Sequence, residues 1–142
     1  MLKLAILGSG YGSNFQAIID AIEFDGLSAE VVCVISDVKD AHILTRAKNN
    51  QIPNYYIDCY PFKNIIKEAP EKNLISVLME HEPDLIVLAG FMRVLGSKII
   101  KKFSNKNNTT HKHRYIVFLN SSISSLIETG IKFSFFIWFR IP

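Results

Sequence analysis

The chain has 142 residues, of which 49% are hydrophobic and 20% are charged. This length and composition are typical of one globular domain and exclude general disorder. The net charge of +3 comes from the C-terminal part, since residues 1–102 carry 11 Lys and Arg against 12 Asp and Glu, whereas residues 103–142 carry 5 against 1. Those later cations are scattered among aromatic and aliphatic residues, so we expect no nucleic-acid partner.

No apolar stretch reaches the length of a membrane span, and the N-terminus lacks the pattern of a signal peptide. We therefore expect a cytoplasmic protein without a membrane partner. The two cysteines, Cys33 and Cys59, are far apart and show no metal-ligand spacing. We predict two buried free thiols rather than a disulfide, a redox site or a metal site.

Residues 1–103 alternate between strand-like and helix-like patterns. Aliphatic and β-branched runs predict strands at residues 2–7, 30–36, 54–60 and 84–89. Helical spacing predicts helices at 14–23, at 40–48 and at 97–103, with Asp40 as the N-cap of the second. A further helix is predicted between the last two, with Pro70 in its first turn and its end before Pro83. This alternation predicts a three-layer α/β fold with helices on both faces of a mostly parallel sheet.

A glycine elbow (residues 8–14) joins the first strand to the first helix within LAILGSGYGSNFQAIIDAI, residues 4–22. Three glycines there let backbone N–H groups approach a ligand, and Ser13 and Asn14 can cap the helix or donate to an anion. The helix N-terminus adds a partial positive charge, so this geometry favours phosphate.

Two familiar glycine motifs fit the elbow poorly. The dinucleotide pattern needs a glycine where Ser13 stands, and the P-loop pattern needs a Gly-Lys-Ser/Thr ending. A small phosphorylated metabolite is the favoured ligand, and a turn that only satisfies backbone geometry is the alternative.

A second stretch, DLIVLAGFMRVL, covers residues 84–95. Taken together, GSGYGSNFQAI and LIVLAGFMRVL resemble the glycinamide ribonucleotide formyltransferase family, and the match in order and spacing runs over residues 1–103. The resemblance implies a Rossmann-like formyltransferase fold. It also implies transfer of a formyl group from 10-formyltetrahydrofolate, a cosubstrate, to glycinamide ribonucleotide in de novo purine biosynthesis, with small molecules as partners and no metal.

The resemblance also implies roles for particular residues. In the family the elbow holds the substrate phosphate, a role that passes to Gly12, Ser13 and Asn14. The folate pocket follows the later strand, which assigns folate binding to the run Met92, Arg93, Val94 and Leu95; the alternative is that the apolar residues Phe91, Met92, Val94 and Leu95 are merely core. Lys67 stands where the family commonly has a folate-contacting arginine, and lysine keeps that charge without the planar fork.

The catalytic pattern of the family is not matched. The family uses an asparagine and a histidine in the string NIHPSLLP and a later aspartate that tunes the histidine, whereas this chain has NNTTHKHRYIVFLN and no Asp after Asp84. His111 falls about where the catalytic histidine is expected, and a solvated loop histidine is the alternative. We therefore expect little or no turnover.

These differences divide the chain into residues 1–104, the nucleotide-binding portion of a formyltransferase, and a divergent tail at 105–142. We expect the C-terminal part of the fold to be incomplete, with strand patterns in RYIVFLN and IKFSFFIWF and a helix pattern in SSISSLIE. A shift of reading frame between about Asn105 and Ser125 is our hypothesis for this tail. The functional alternatives are a phosphate- or nucleotide-binding remnant without chemistry, or a related enzyme that uses formyltetrahydrofolate; oligomeric state stays open.

Overall fold

The structure is a computed structural model that describes residues 1–104 and 115–119. Strands and helices alternate along the chain. They are β1 (Leu2–Leu7), α1 (Ser13–Phe24), β2 (Ala29–Ser36), α2 (His42–Asn49), β3 (Asn54–Tyr56), α3 (Glu68–His81), β4 (Leu85–Ala89), α4 (Ser97–Ser104) and β5 (Tyr115–Leu119). The predicted alternation is confirmed, and RYIVFLN contains a strand as predicted.

The described strands form one sheet in the order β3-β2-β1-β4-β5, and every pair in it is parallel. Leu7, at the end of β1, pairs with Ile35 on one side and with Leu88 on the other. The chain therefore builds outward from β1 first in one direction and then in the other. In such sheets the point between β1 and β4, beyond the carboxyl ends of the strands, is the usual place of a ligand.

Helices cover both faces of the sheet, as predicted. On one face α1 and α2 place Phe15 and Ile43 in a buried cluster, and on the other face α3 and α4 place Leu74 and Phe103 in a second cluster. Burial of such a side chain stabilises the fold by about 2 kcal/mol. Because both faces are packed, β4 is buried along its whole length, which explains its unbroken apolar sequence.

Two predicted boundaries are wrong. Ala41, not Asp40, is the N-cap of α2, because the N–H of Ala41 bonds to the carbonyl of Val38 and places Asp40 inside a turn. The third strand ends at Tyr56 rather than at residue 60, because the Asp58 carboxylate accepts the N–H of Tyr60 and turns the chain away from β2.

The remaining predictions for the tail, namely the helix in SSISSLIE, the strand in IKFSFFIWF and the position of His111, lie outside the described residues. Within the described part of the chain, none of the helices combines the length and the apolar character that crossing a membrane requires.

Candidate functional site

The glycine elbow and the loop after β4 meet at the switch point between β1 and β4. The N–H of Ser9 bonds to the carbonyl of Gly90 at 3.2 Å, and the N–H of Met92 bonds to the Ser9 hydroxyl oxygen at 2.9 Å. Residues 90–96 are called the β4 loop below. The two stretches that sequence analysis singled out are therefore neighbours at the edge where parallel α/β sheets bind ligands.

Gly12 is the residue from which α1 starts. It has φ +82°, the left-handed region that favours glycine, and its carbonyl accepts the N–H of Gln16 at 2.9 Å to close the first turn. Glycine brings no side chain to cap the helix, so the N–H groups of the first turn point toward another acceptor. Ser13 is exposed and Asn14 is half-buried beside them.

Helix α2 holds the elbow in place. The N–H of Ile43 bonds to the carbonyl of Gly10 at 3.1 Å, and a Cβ added at Gly12 would lie 2.9 Å from the Cα of Ile43. Arg46 donates from Nε to the carbonyl of Tyr11 at 3.0 Å, with its guanidinium 4.6 Å from the centre of the Tyr11 ring. The elbow is thus fixed by close backbone packing and also has a cation beside it.

The β4 loop presents a mixed surface. Met92 and Val94 are exposed by 78% and 61%, whereas Leu95 is buried in the core. Met92 and Val94 can therefore contact a flat apolar ring, and Leu95 supports the loop from below. The alternative that these apolar residues are merely core is true of Leu95 and in part of Phe91, which is half-buried and packs against the core. It is wrong for Met92 and Val94.

Arg93 extends its side chain into the protein. Its Nε lies 2.6 Å from Oδ2 of Asp37, and the two side chains are exposed by only 17% and 5%. A terminal guanidinium nitrogen, NH1, also donates to the carbonyls of Phe62 and Lys63. Arg93 therefore joins the β4 loop to β2 and to the segment that precedes α3.

Lys67 is exposed and is the N-cap of α3. Its Nζ lies 4.9 Å from the centre of the Phe62 ring. The segment before it runs along the β4 loop, since the N–H of Ile66 bonds to the carbonyl of Val94 at 2.9 Å. Lys67 is thus an exposed cation that borders the β4 loop.

A buried carboxylate fixes the far end of the β4 loop. Glu71 of α3 is 3% exposed, and its Oε1 accepts the N–H groups of Lys98 and Ile99 at 2.9 and 3.1 Å. These are first-turn donors of α4, where negative charge is favoured. A Cβ at Gly96 would lie 2.3 Å from Oε1 of Glu71, so the glycine is what lets the carboxylate approach.

Both cysteines are buried free thiols, as predicted. Burial, with a smaller contribution from the charge of Glu80, raises the pKa of Cys33 to about 12. Burial also raises the pKa of Cys59. Thiols with such pKa values stay protonated at neutral pH and are poor nucleophiles. In residues 1–104 and 115–119 there is no group of three or more His, Cys, Asp or Glu side chains that could hold a metal ion.

Sequence reasoning missed four residues that organise this site: Ser9, Asp37, Arg46 and Glu71. Ser9 and Asp37 follow the ends of adjacent strands, which is a signal that could have placed them at the same edge. Arg46 and Glu71 lie within helices, and nothing in the local sequence indicates their partners.

A family model described as Formyl transferase matches residues 2–112. The chain is 37% identical over 118 residues to the phosphoribosylglycinamide formyltransferase of Saccharomyces cerevisiae, covering 74% of this chain and 55% of the relative. It is 32% identical over 133 residues to the enzyme of the same name from Bacillus subtilis, covering 93% of this chain and 67% of the relative. That second alignment includes part of the segment after residue 104.

A solved structure of the phosphoribosylglycinamide formyltransferase of Coxiella burnetii matches with a TM-score of 0.66 and 40% sequence identity, covering 74% of this chain and 48% of that chain. The chain spans about half the length of several curated relatives that it matches, for example 55% and 51% of two of them.

Proposed function

Because the chain belongs to the formyl transferase family, we propose that it binds glycinamide ribonucleotide and 10-formyltetrahydrofolate at the switch point between β1 and β4. The observation that carries this proposal is the contact of the glycine elbow with the β4 loop through Ser9. Two ligands that must react with each other need adjoining subsites, and the two stretches provide neighbouring surfaces of different chemistry.

The elbow is the proposed phosphate subsite. The N–H groups at Gly12, Ser13 and Asn14 lie at the start of α1, where the helix dipole favours an anion. Arg46 adds a positive charge on the α2 side of the elbow. A phosphate dianion there would neutralise the partial charge of the helix and the full charge of the guanidinium.

The β4 loop is the proposed folate subsite. Met92 and Val94 offer exposed apolar surface to a pterin ring, and Leu95 supports them from the core. Lys67, exposed beside this loop, offers a cation to the carboxylates of the glutamate tail. Arg93 contributes to this subsite because it fixes the position of the β4 loop.

The reaction of this site class is a nucleophilic acyl transfer. The substrate amine attacks the formyl carbon, and the new C–N bond forms as the carbonyl becomes an oxyanion. The amine then releases a proton, the oxyanion returns to a carbonyl as the bond to the folate nitrogen breaks, and that nitrogen takes up the proton. The oxyanion requires a donor and the proton requires a shuttle, each worth several kcal/mol of transition-state stabilisation. His111 is the candidate shuttle in this chain, and the asparagine nearest to it, Asn108, is not at the spacing that the family's string has. We therefore propose binding of both ligands with little turnover.

Calorimetry with glycinamide ribonucleotide and with the unphosphorylated ribonucleoside tests the phosphate subsite. We expect the ribonucleotide to bind at least 100-fold more tightly, about 2.7 kcal/mol, because only it carries the dianion. Equal affinity for the two compounds would remove the elbow from the proposal.

Tetrahydrofolate binding tests the β4 loop with a matched pair of variants. Met92 and Phe24 are both 78% exposed, and Phe24 lies at the end of α1, away from the switch point. We expect Met92→Ser to weaken binding about tenfold and Phe24→Ser to leave it unchanged. Equal effects of the two variants would place the folate elsewhere.

A formyl-transfer assay separates the enzyme from the remnant without chemistry. Binding of both ligands together with turnover at least 100-fold below that of an active homologue assayed in parallel is the expected result, since the asparagine that would stabilise the oxyanion is unmatched. Turnover equal to that of the homologue would contradict the proposed loss of turnover.

A further inference from the structure

Ser9 belongs to the glycine elbow and bonds to the β4 loop. Its hydroxyl oxygen accepts the N–H of Met92 at 2.9 Å, and the same hydroxyl donates to Oδ1 of Asp37 at 2.5 Å. Its backbone N–H also bonds to the carbonyl of Gly90. Any displacement of Ser9 within the elbow therefore strains bonds to the β4 loop.

Asp37 continues this connection to Arg93. While Oδ1 accepts the Ser9 hydroxyl, Oδ2 accepts Nε of Arg93 at 2.6 Å, and the pair is largely shielded from solvent. Arg93 then holds the carbonyls of Phe62 and Lys63 at 2.5 and 2.8 Å. Hydrogen bonds to charged groups in such shielded places are short and strong, so the three side chains move as one unit.

The unit joins three segments of the chain, each of which follows a different strand. Ser9 comes after β1, Asp37 after β2 and Arg93 after β4. The β4 loop is in addition bonded to the segment before α3 through Val94, which accepts from Ile66 and donates to Asn64. The order of the elbow and the order of the β4 loop are thus physically linked.

We propose that the Ser9–Asp37–Arg93 unit couples the two subsites, so that occupation of the phosphate subsite tightens binding at the folate subsite. This inference rests on the proposed function. A phosphate bound at the elbow restricts Ser9 and, through its hydroxyl, the N–H of Met92. The second ligand then meets a loop that is already ordered and loses less conformational entropy on binding. Linkage requires the effect to be the same in both directions.

Arg93 is a positioning residue in this scheme. Its guanidinium is bonded to Asp37 and to two backbone carbonyls of the segment before α3, and it sets where Met92 and Val94 stand. Lysine can keep the charge opposite Asp37, but its single ammonium lacks the fork that also reaches both carbonyls.

The test is the dissociation constant of tetrahydrofolate, which has no formyl group to transfer, measured with and without saturating glycinamide ribonucleotide. For the natural chain we expect the ribonucleotide to lower this constant at least fivefold, within the usual range of coupling between sites. In Ser9→Ala the ratio falls toward one, and in Ser9→Thr, which keeps the hydroxyl, it returns. Ser76→Ala, an exposed serine of α3, keeps the full ratio.

A merely structural role of the unit would lower stability and leave the ratio unchanged, which would overturn the inference. An unchanged dissociation constant in the natural chain would overturn it too, while the proposed function would survive because both ligands bind. If neither ligand binds the natural chain, the proposed function fails and the inference fails with it. Should Ser9→Ala not fold, amide exchange of Met92 in the natural chain decides: ribonucleotide alone must slow it, and unchanged exchange contradicts the coupling.

Discussion

The glycine elbow and the β4 loop lie side by side at one edge of the sheet, and they are held in different ways. The elbow requires a residue without a Cβ, since Gly12 packs closely against the backbone of Ile43. The β4 loop depends on charged groups placed under it, with Arg93 bonded to Asp37 and Glu71 bonded to the start of α4.

This difference shows two routes to a rigid binding surface. Close packing of backbone leaves no alternative position, so it resists motion but tolerates no added volume. Shielded charged groups with several hydrogen bonds each can hold a loop whose residues have side chains. Removal of one such group leaves its hydrogen-bond partners unsatisfied. The elbow should therefore be sensitive to atoms gained. The β4 loop should be sensitive to atoms lost from Arg93, Asp37 and Glu71, and its Gly96 shares the sensitivity of the elbow to an added Cβ.

The largest expected loss of stability comes from a substitution in the elbow. Gly12→Ala forces an L-residue to φ +82° and places its Cβ 2.9 Å from the Cα of Ile43, so we expect a loss of about 3 kcal/mol in the free energy of unfolding. Gly10→Ala is the matched control, because nothing lies within 4 Å of its added Cβ. Urea denaturation measures both, and similar losses would show that packing on α2 is not what holds the elbow.

The next largest loss of stability comes from a substitution that removes the support of the β4 loop. Glu71→Ala leaves the N–H groups of Lys98 and Ile99 without their acceptor, and we expect a loss of about 2 kcal/mol. Glu71→Gln keeps an acceptor oxygen and should lose about half as much, while Lys72→Ala, at the exposed neighbouring position, should lose nearly nothing. Thermal unfolding gives the order of the three variants. Equal stability of the natural chain and Glu71→Ala would contradict the role of the carboxylate.

Alkaline pH tests the sheet that supports both regions. The folded chain keeps the Cys33 proton up to a pKa of about 12, whereas the unfolded chain releases it near 9.0. The folded state thus binds more protons across this window, and stability falls as pH rises from 9 toward 12 by about 1.4 kcal/mol per pH unit at most. Cys33→Ala should lose stability with pH less steeply in urea titrations, and identical slopes would contradict the assignment.

The smallest expected effect is a gain rather than a loss of stability, at the C-terminal end of α3. Glu82 ends α3 with φ +47°, a left-handed conformation occupied here by a residue that has a Cβ. Replacing it by glycine removes that backbone strain, so we expect Glu82→Gly to gain about 0.5 kcal/mol. A small rise in the midpoint of thermal unfolding is the readout. A fall of the midpoint would show that the Glu82 side chain contributes more than its backbone conformation costs.

The parts of this fold that sequence predicts are those encoded by neighbouring residues. The elbow combines an apolar run, three glycines and a helical repeat within residues 4–22, and β4 is a continuous apolar run. The third strand ends earlier than its sequence predicts because a local turn at Asp58 competes with pairing to β2. The N-cap of α2 differs from the predicted one for a similar reason, a turn that precedes the helix.

The partners of the charged side chains that organise the β4 loop could not be predicted from sequence. Asp37 and Arg93 are separated by 56 positions, and Glu71 and Lys98 by 27. Partners at such separations show no pattern in the local sequence. Charged residues usually lie on the surface, and only the completed sheet shows that these are shielded from solvent. The phosphate and folate assignments remain predictions, since they rest on the resemblance and on the geometry of the two regions.

Ile43 determines how freely the elbow can vary among related proteins. A Cβ at Gly8 would meet the tip of the Ile43 side chain, at 2.5 Å from Cδ1, and the carbonyl oxygen of Ala89 at 2.9 Å, whereas a Cβ at Gly12 would meet the backbone of Ile43. A smaller residue at position 43 would therefore make room for a side chain at position 8 on one side only, since the carbonyl of Ala89 stays in place. Backbone thus opposes a Cβ at both positions, so descent should preserve both glycines even where residue 43 changes.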